Sequence, residues 1–104
     1  MKTGTVVLVK KDFPFLQIKA GELGVVYKTY KDFDIPVKNG GSIIFENGGH
    51  DDWSVHDQGE YLTVIGHEEK HENYTFNNIS QLMLDYKKGV WDFKALIKKF
   101  CKTI

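Results

Sequence analysis

Residues 60–86 read EYLTVIGHEEKHENYTFNNISQLMLDY, and the hydrophobic period changes inside this stretch. Glu60 to Ile65 opens after Gly59, closes at Gly66, and carries the β-branched and aromatic residues that suit a strand. Further on, Ile79, Leu82, Met83 and Tyr86 fall at i, i+3, i+4 and i+7, the spacing that gathers apolar side chains on one helical face. Asn77 or Asn78 is placed to cap that helix, and Gly89 follows Lys87 and Lys88 as a C-terminal stop. The boundary near residue 75 thus separates a strand-forming part from a helix-forming part.

Upstream of the boundary the strand signals recur. Thr5 to Lys10 is Val-rich, Leu23 to Tyr30 follows Gly21, and Ser42 to Glu46 sits between Gly40-Gly41 and Gly48-Gly49. Trp53 to Val55 is long enough for a very short fifth strand. Short strands with glycine-rich turns imply a small barrel or sandwich. Downstream, Asp92 can cap a second helix whose apolar face runs Phe93, Leu96, Ile97, Phe100, Cys101 and Ile104, with lysines on the remainder. The spacing predicts helices near 78–88 and 92–102, joined across Gly89-Val90.

The segment Ile18-Lys19-Ala20-Gly21-Glu22-Leu23-Gly24-Val25-Val26 resembles the opening turn and strand of KOW-type and other SH3-like barrels. Ile43-Ile44-Phe45-Glu46-Asn47-Gly48 looks like such a barrel's central strand and turn. Glu60-Tyr61-Leu62-Thr63-Val64-Ile65-Gly66 is similar to the closing strand of small SH3-like proteins of bacteria and their phages. The resemblance covers about residues 3–66 and implies a five-stranded SH3-like β-barrel there; with the helical period downstream, where the chain departs from ordinary KOW modules, the expected fold is α+β in one domain, the barrel followed by an acidic linker over 67–76 and a two-helix C-terminal hairpin over 77–104. The favoured role, read from the acidic and aromatic residues and the lack of a catalytic motif, is a non-enzymatic protein-binding domain; the resemblance and the small size add its origin, as an inhibitor or adaptor encoded by a phage or other mobile element and acting on a host protein.

Composition bounds the rest. A chain of 104 residues, 41% hydrophobic with seven Phe, five Tyr and two Trp, suffices for one core. With Cys101 its single cysteine, the chain can form no internal disulfide, and Val6 to Val9 is too short for a signal peptide's apolar region. A cytoplasmic location follows by default, and the sequons at Asn73 and Asn78 are then chance matches. Net charge is zero but uneven: residues 46–72 carry eight acids against Lys70 alone, while lysines dominate both ends. Every basic residue is Lys. The planar fork with which Arg reads phosphates and guanine edges is therefore missing, which disfavours sequence-specific nucleic-acid recognition.

His67-Glu68-Glu69-Lys70-His71 matches the HExxH pattern of zinc peptidases, whose chemistry needs both histidines on one helical face and a third ligand. Here the pattern directly follows a strand and has no apolar stripe, so a solvated linker is the favoured reading, with a zinc-dependent hydrolase through His67, Glu68 and His71 as a remote alternative. His50, Asp51, Asp52, His56, Asp57 and Glu60 form an oxygen-rich cluster without calcium-loop spacing. No metal or other cofactor is expected, and no catalytic residue is assigned. The candidate partner-binding residues are Trp53, Asp51, Asp52, Phe15, Phe33 and Tyr30: aromatic residues near strand ends beside an acidic loop, suited to a basic protein surface. The other open reading is a nucleic-acid-associated barrel using Lys-rich surfaces, with weak binding. No stretch is long and apolar enough for a membrane span.

Overall fold

The computed structural model describes residues 2–14, 17–29, 40–53 and 55–101, with backbone alone for 55–57. Five strands, β1 (Thr5–Val9), β2 (Leu23–Thr29), β3 (Gly41–Phe45), β4 (His50–Trp53) and β5 (Leu62–His67), form one antiparallel sheet in the order β4-β3-β2-β1-β5. Helix α1 (Val55–Tyr61) joins β4 to β5, a 3-10 turn spans Glu69–His71, and α2 (Ile79–Lys88) and α3 (Phe93–Phe100) complete the chain. Strands and hairpin fall where the hydrophobic periods place them. Two details differ: β4 lies at 50–53 rather than 53–55, and α1 takes Val55, Glu60 and Tyr61, which were expected in strands, together with the residues between them, so that β5 begins at Leu62 rather than Glu60. Val-His-Asp-Gln-Gly-Glu-Tyr has no apolar stripe and a glycine inside it, so periodicity gives no helical signal there.

The first three strands divide their side chains between two faces with the period of two that a pleated strand imposes. Val6, Leu23, Val25, Tyr27 and Ile44 enter one buried cluster, while Val7, Val9, Val26, Ile43 and Phe45 enter another. The hairpin covers the first face through Leu82, Trp91 and Leu96. The second face is closed by Ile18 from the β1–β2 connection, Trp53 from β4 and Leu62 from β5. Because both faces are buried, these strands read as unbroken apolar runs.

Trp53 of β4 and Leu62 of β5, from opposite ends of the sheet, share one buried cluster, and Tyr61, the last residue of α1, meets Trp53 edge to face with ring centroids 6.3 Å apart. The sheet is therefore strongly curled. It is not closed: β4 and β5 do not pair, since the chain between them leaves the sheet as α1. The expected barrel is, as observed, a curled five-stranded antiparallel sheet with two ends.

Local chemistry sets the hairpin. The Asn78 side chain accepts from Gln81 N at 2.9 Å, and the Asp92 side chain from Ala95 N at 3.1 Å, each satisfying a backbone donor at a helix start. Gly89 ends α2 at φ 81°, a left-handed conformation that glycine adopts without a Cβ penalty. Phe100 lies directly on β5, where a Cβ on Gly66 would come within 2.3 Å of its ring. Tyr86 donates a hydrogen bond to the Glu46 carbonyl, tying α2 to the end of β3. Ile97, expected inside, is 38% exposed: the apolar stripe of α3 is wider than its contact with the sheet. Among the described residues no helix is long and apolar enough to cross a membrane.

Candidate functional site

The acidic and aromatic segment at 46–60 separates, on folding, into an anchored part and an exposed part. A tight turn builds the β3–β4 hairpin: Gly48 takes φ 84°, Gly49 N donates to the Asn47 side chain at 2.8 Å, and Phe45 N donates to the Gly49 carbonyl at 2.9 Å. Beyond it, Asp51 pairs across from Ile43 and Asp52 across from Ser42. Both aspartates are exposed, and among the described residues β4 pairs with β3 alone, at one end of the sheet. The Ser42 hydroxyl donates to the Asp52 carboxylate, and Asp52 N to the Asp51 carboxylate at 2.7 Å. These contacts fix the carboxylates at the edge.

Trp53 behaves differently from its neighbours. It is 2% exposed and sits among Phe13, Phe45 and Tyr61, with centroids 4.7, 5.6 and 6.3 Å away. The exposed anchor expected from the sequence is thus a core residue that roots β4, because the pleat sends it inward. Phe15, Tyr30 and Phe33, the other aromatic candidates, lie outside the described residues.

Tertiary pairing offsets part of the charge imbalance of the sequence, with two of the segment's eight acids meeting lysines from outside it. Glu60 meets Lys11 at 3.1 Å, Glu68 meets Lys99 at 2.5 Å, and Glu72 meets His67 at 2.8 Å. Glu46 accepts from Leu23 N at 2.6 Å. Of the described carboxylates in the segment, Asp51 and Asp52 are the pair that share one exposed strand.

The region expected to be a solvated linker is partly buried. Glu68 and His71 are both enclosed, and Lys99 holds the Glu68 carboxyl below the usual carboxylate range through their hydrogen bond. The two histidines of the HExxH pattern do not share a helical face. His67 ends β5 and bonds to Glu72, while His71 closes the 3-10 turn and packs toward Trp91 with centroids 6.4 Å apart. Among the described residues, no three His, Cys, Asp or Glu side chains converge on a metal-sized site.

His71 has a consequence for stability. Its Nε2 is buried without a hydrogen-bond partner among the described residues, and burial, aided by Lys70, pushes its pKa down. The unfolded chain, with a histidine pKa near about 6.5, then binds more protons than the folded one in the window below that value. The contribution is present above about pH 6.5 and is lost as pH falls through the lowered folded pKa. Glu68, also lowered, adds a second loss below about pH 4.3. Thermal melts should be flat above about pH 7 and decline from about pH 6.5 downward, and His71→Phe should remove the upper decline only. A wild-type profile unchanged between pH 7 and 5 would place His71 in solvent.

Two further features line the hairpin. Tyr74 donates to Asp85 at 2.7 Å and stands edge-on to Trp91 at 4.8 Å, and its phenol pKa is raised by burial and by that carboxylate. An apolar pocket of about 330 Å³ opens between the sheet and α3, lined by Leu8, Gly21, Leu23, Ile97 and Cys101. Sequence reasoning missed Trp91 and the Glu68–Lys99 pair. Their partners lie 17 to 31 residues away in the chain, so no local pattern announces them. No protein-family model, characterised protein or solved structure matches this chain.

Proposed function

We propose that the chain is a non-catalytic protein-binding domain that docks a basic partner segment on the acidic edge formed by β4. The observation that carries this reading is the placing of Asp51 and Asp52, both exposed, on a terminal strand of the sheet. An open edge offers backbone donors and acceptors to an extended segment, and the carboxylates favour Lys or Arg on it. Acidic residues on an edge also discourage pairing with a second acidic strand. The two roles agree, because the charge that repels such a strand attracts a basic one. Trp53, buried beneath, keeps the edge in place for binding.

The strand order supports an SH3-like barrel opened between β4 and β5: four strands form a meander, and the fifth returns to pair with the first. On the resemblance to small bacterial and phage barrels, the domain serves as an inhibitor or adaptor acting on a host protein in the cytoplasm. Nucleic-acid binding through the exposed Lys94 and Lys98 is the competing reading. Without Arg and with zero net charge, it should be no tighter than about 10⁻⁴–10⁻⁶ M at physiological salt. Fluorescence anisotropy with labelled duplex and single-stranded oligonucleotides measures this directly.

A carbodiimide, which joins a carboxylate to an amine in direct contact, tests the edge itself. Treatment of the protein in lysate of its source cells should yield a cross-linked species whose peptides join Asp51 or Asp52 to a lysine of another protein. Cross-links confined to Glu60, Glu69 or Glu72 would place the contact elsewhere.

A further inference from the structure

The pocket between the sheet and α3 is lined by Leu8, Gly21, Leu23, Ile97 and Cys101, so the Cys101 thiol is the most polar side chain on its wall. Its mouth is open: Ile97 is 38% exposed, and a Cβ on Gly21 would meet no atom within 4 Å. A volume of about 330 Å³ stands at the lower end of the range for small-molecule sites, about 300–1,000 Å³. The charge beside the mouth has one sign. At about 100° per residue, Ile97 and Cys101 fall between the core-facing side of α3, with Phe93, Leu96 and Phe100, and a flank that carries Lys94 and Lys98. Both lysines are exposed, and neither forms an ion pair or hydrogen bond among the described residues. The acids nearest the lining in sequence are turned onto the backbone: Glu22 accepts from Lys19 N and Glu46 from Leu23 N, each at 2.6 Å.

We infer that this pocket is a binding site for a single-chain anionic amphiphile of the fatty-acid class, its alkyl chain against Leu8, Leu23 and Ile97 and its carboxylate at Lys94 and Lys98. Charge and shape select this occupant. A wall without hydrogen-bonding side chains suits an alkyl chain, and the small volume suits one chain rather than two. The carboxylate stays at the wet mouth, where the long stems of the two lysines let their ammonium groups follow it. A second copy docked here about a two-fold axis would instead set the α3 lysines of one chain against those of the other. The pocket shares no residue with the docking edge proposed on β4, so the two readings stand or fall separately.

Titration calorimetry of the intact protein with hexanoate, octanoate and decanoate, at low salt and below their micelle concentrations, tests it. Binding should saturate at one molecule per chain and tighten by about fourfold per added methylene, the equivalent of about 0.8 kcal/mol for each one buried. Lys94→Glu with Lys98→Glu should weaken octanoate binding at least about fivefold and leave octanol binding unchanged. Ile97→Asp, which sets a carboxylate in the mouth, should abolish octanoate binding. All three positions are exposed, so melting temperatures near wild type are expected. If a variant fails to fold, the wild type alone still reports: saturating octanoate should slow alkylation of Cys101, the chain's single thiol. The absence of saturable binding, an affinity indifferent to chain length or to the charge reversal, or a Cys101 alkylation rate unchanged at saturation would overturn the inference. Self-association that Ile97→Asp abolishes, without octanoate uptake, would give the pocket to a second copy and overturn it too.

Discussion

Trp91→Ala should destabilise the protein by about 3–5 kcal/mol, the usual cost of truncating a buried aromatic residue. Trp91 lies between α2 and α3, buried within the cluster of Val6, Leu23, Val25, Tyr27 and Ile44, with Tyr74 edge-on and His71 nearby. It is the residue through which the hairpin turn, and not only its helices, grips the sheet. Against a total of roughly 5–15 kcal/mol for a domain, the loss should leave a large unfolded fraction at 37 °C. Its indole nitrogen is buried without a partner among the described residues, so Trp91→Phe, which keeps a ring and deletes that donor, should cost less. Removal of residues 90–104 deletes Trp91 and Leu96 from the cover of the first face, leaves Leu82 alone of its three buried anchors, and should give an aggregating chain. An unchanged melting temperature in the truncated form would show instead that the hairpin is an independent arm.

Trp53→Ala should produce a loss of the same size, about 3–5 kcal/mol, on the other face of the sheet. Its ring touches Phe13 from the β1–β2 connection, Phe45 from β3 and Tyr61 beside β5. One truncation therefore loosens both ends of the curled sheet at once. Denaturant melts should show a lower midpoint, and any loss of partner binding should track the unfolded fraction. Full stability of the variant, with binding alone abolished, would return Trp53 to the surface as a docking anchor. Trp53 is thus unsuited to testing the docking edge, whereas the exposed aspartates beside it are suited.

How much of this was legible before folding depended on where each signal lives. Helix faces and caps are local, so Ile79, Leu82, Met83 and Tyr86, with Asn78 and Asp92, marked α2 and α3 to within a few residues. The central strands were legible as Val- and Ile-rich runs, but not their two-sided burial, because an unbroken apolar run does not say which face each residue takes. For the same reason Trp53 was misread: alternation along the four residues of β4 decides its direction, and four residues are too few to reveal a period. The acidic segment looked like one patch because sequence lists neighbours along the chain. Lys11 and Lys99, which pair with Glu60 and Glu68, lie 49 and 31 residues away. That Asp51 and Asp52 lie together, both exposed, on a terminal strand needed the sheet order to be seen.

The proposed docking edge for a basic protein segment rests on these two aspartates, and a parallel capture experiment tests it. Wild-type protein and the Asp51→Lys, Asp52→Lys double variant serve as parallel baits in lysate of the source cells, and retained proteins are quantified by mass spectrometry. Both substitutions fall on exposed side chains, so matched melting temperatures can be required of the two baits before comparison. At least one protein should be held by the wild type, released by added salt, and depleted at least about tenfold on the variant, since facing like charges cost several kcal/mol. Equal retention on both baits, or selective retention of nucleic acid that survives the substitutions, would contradict it.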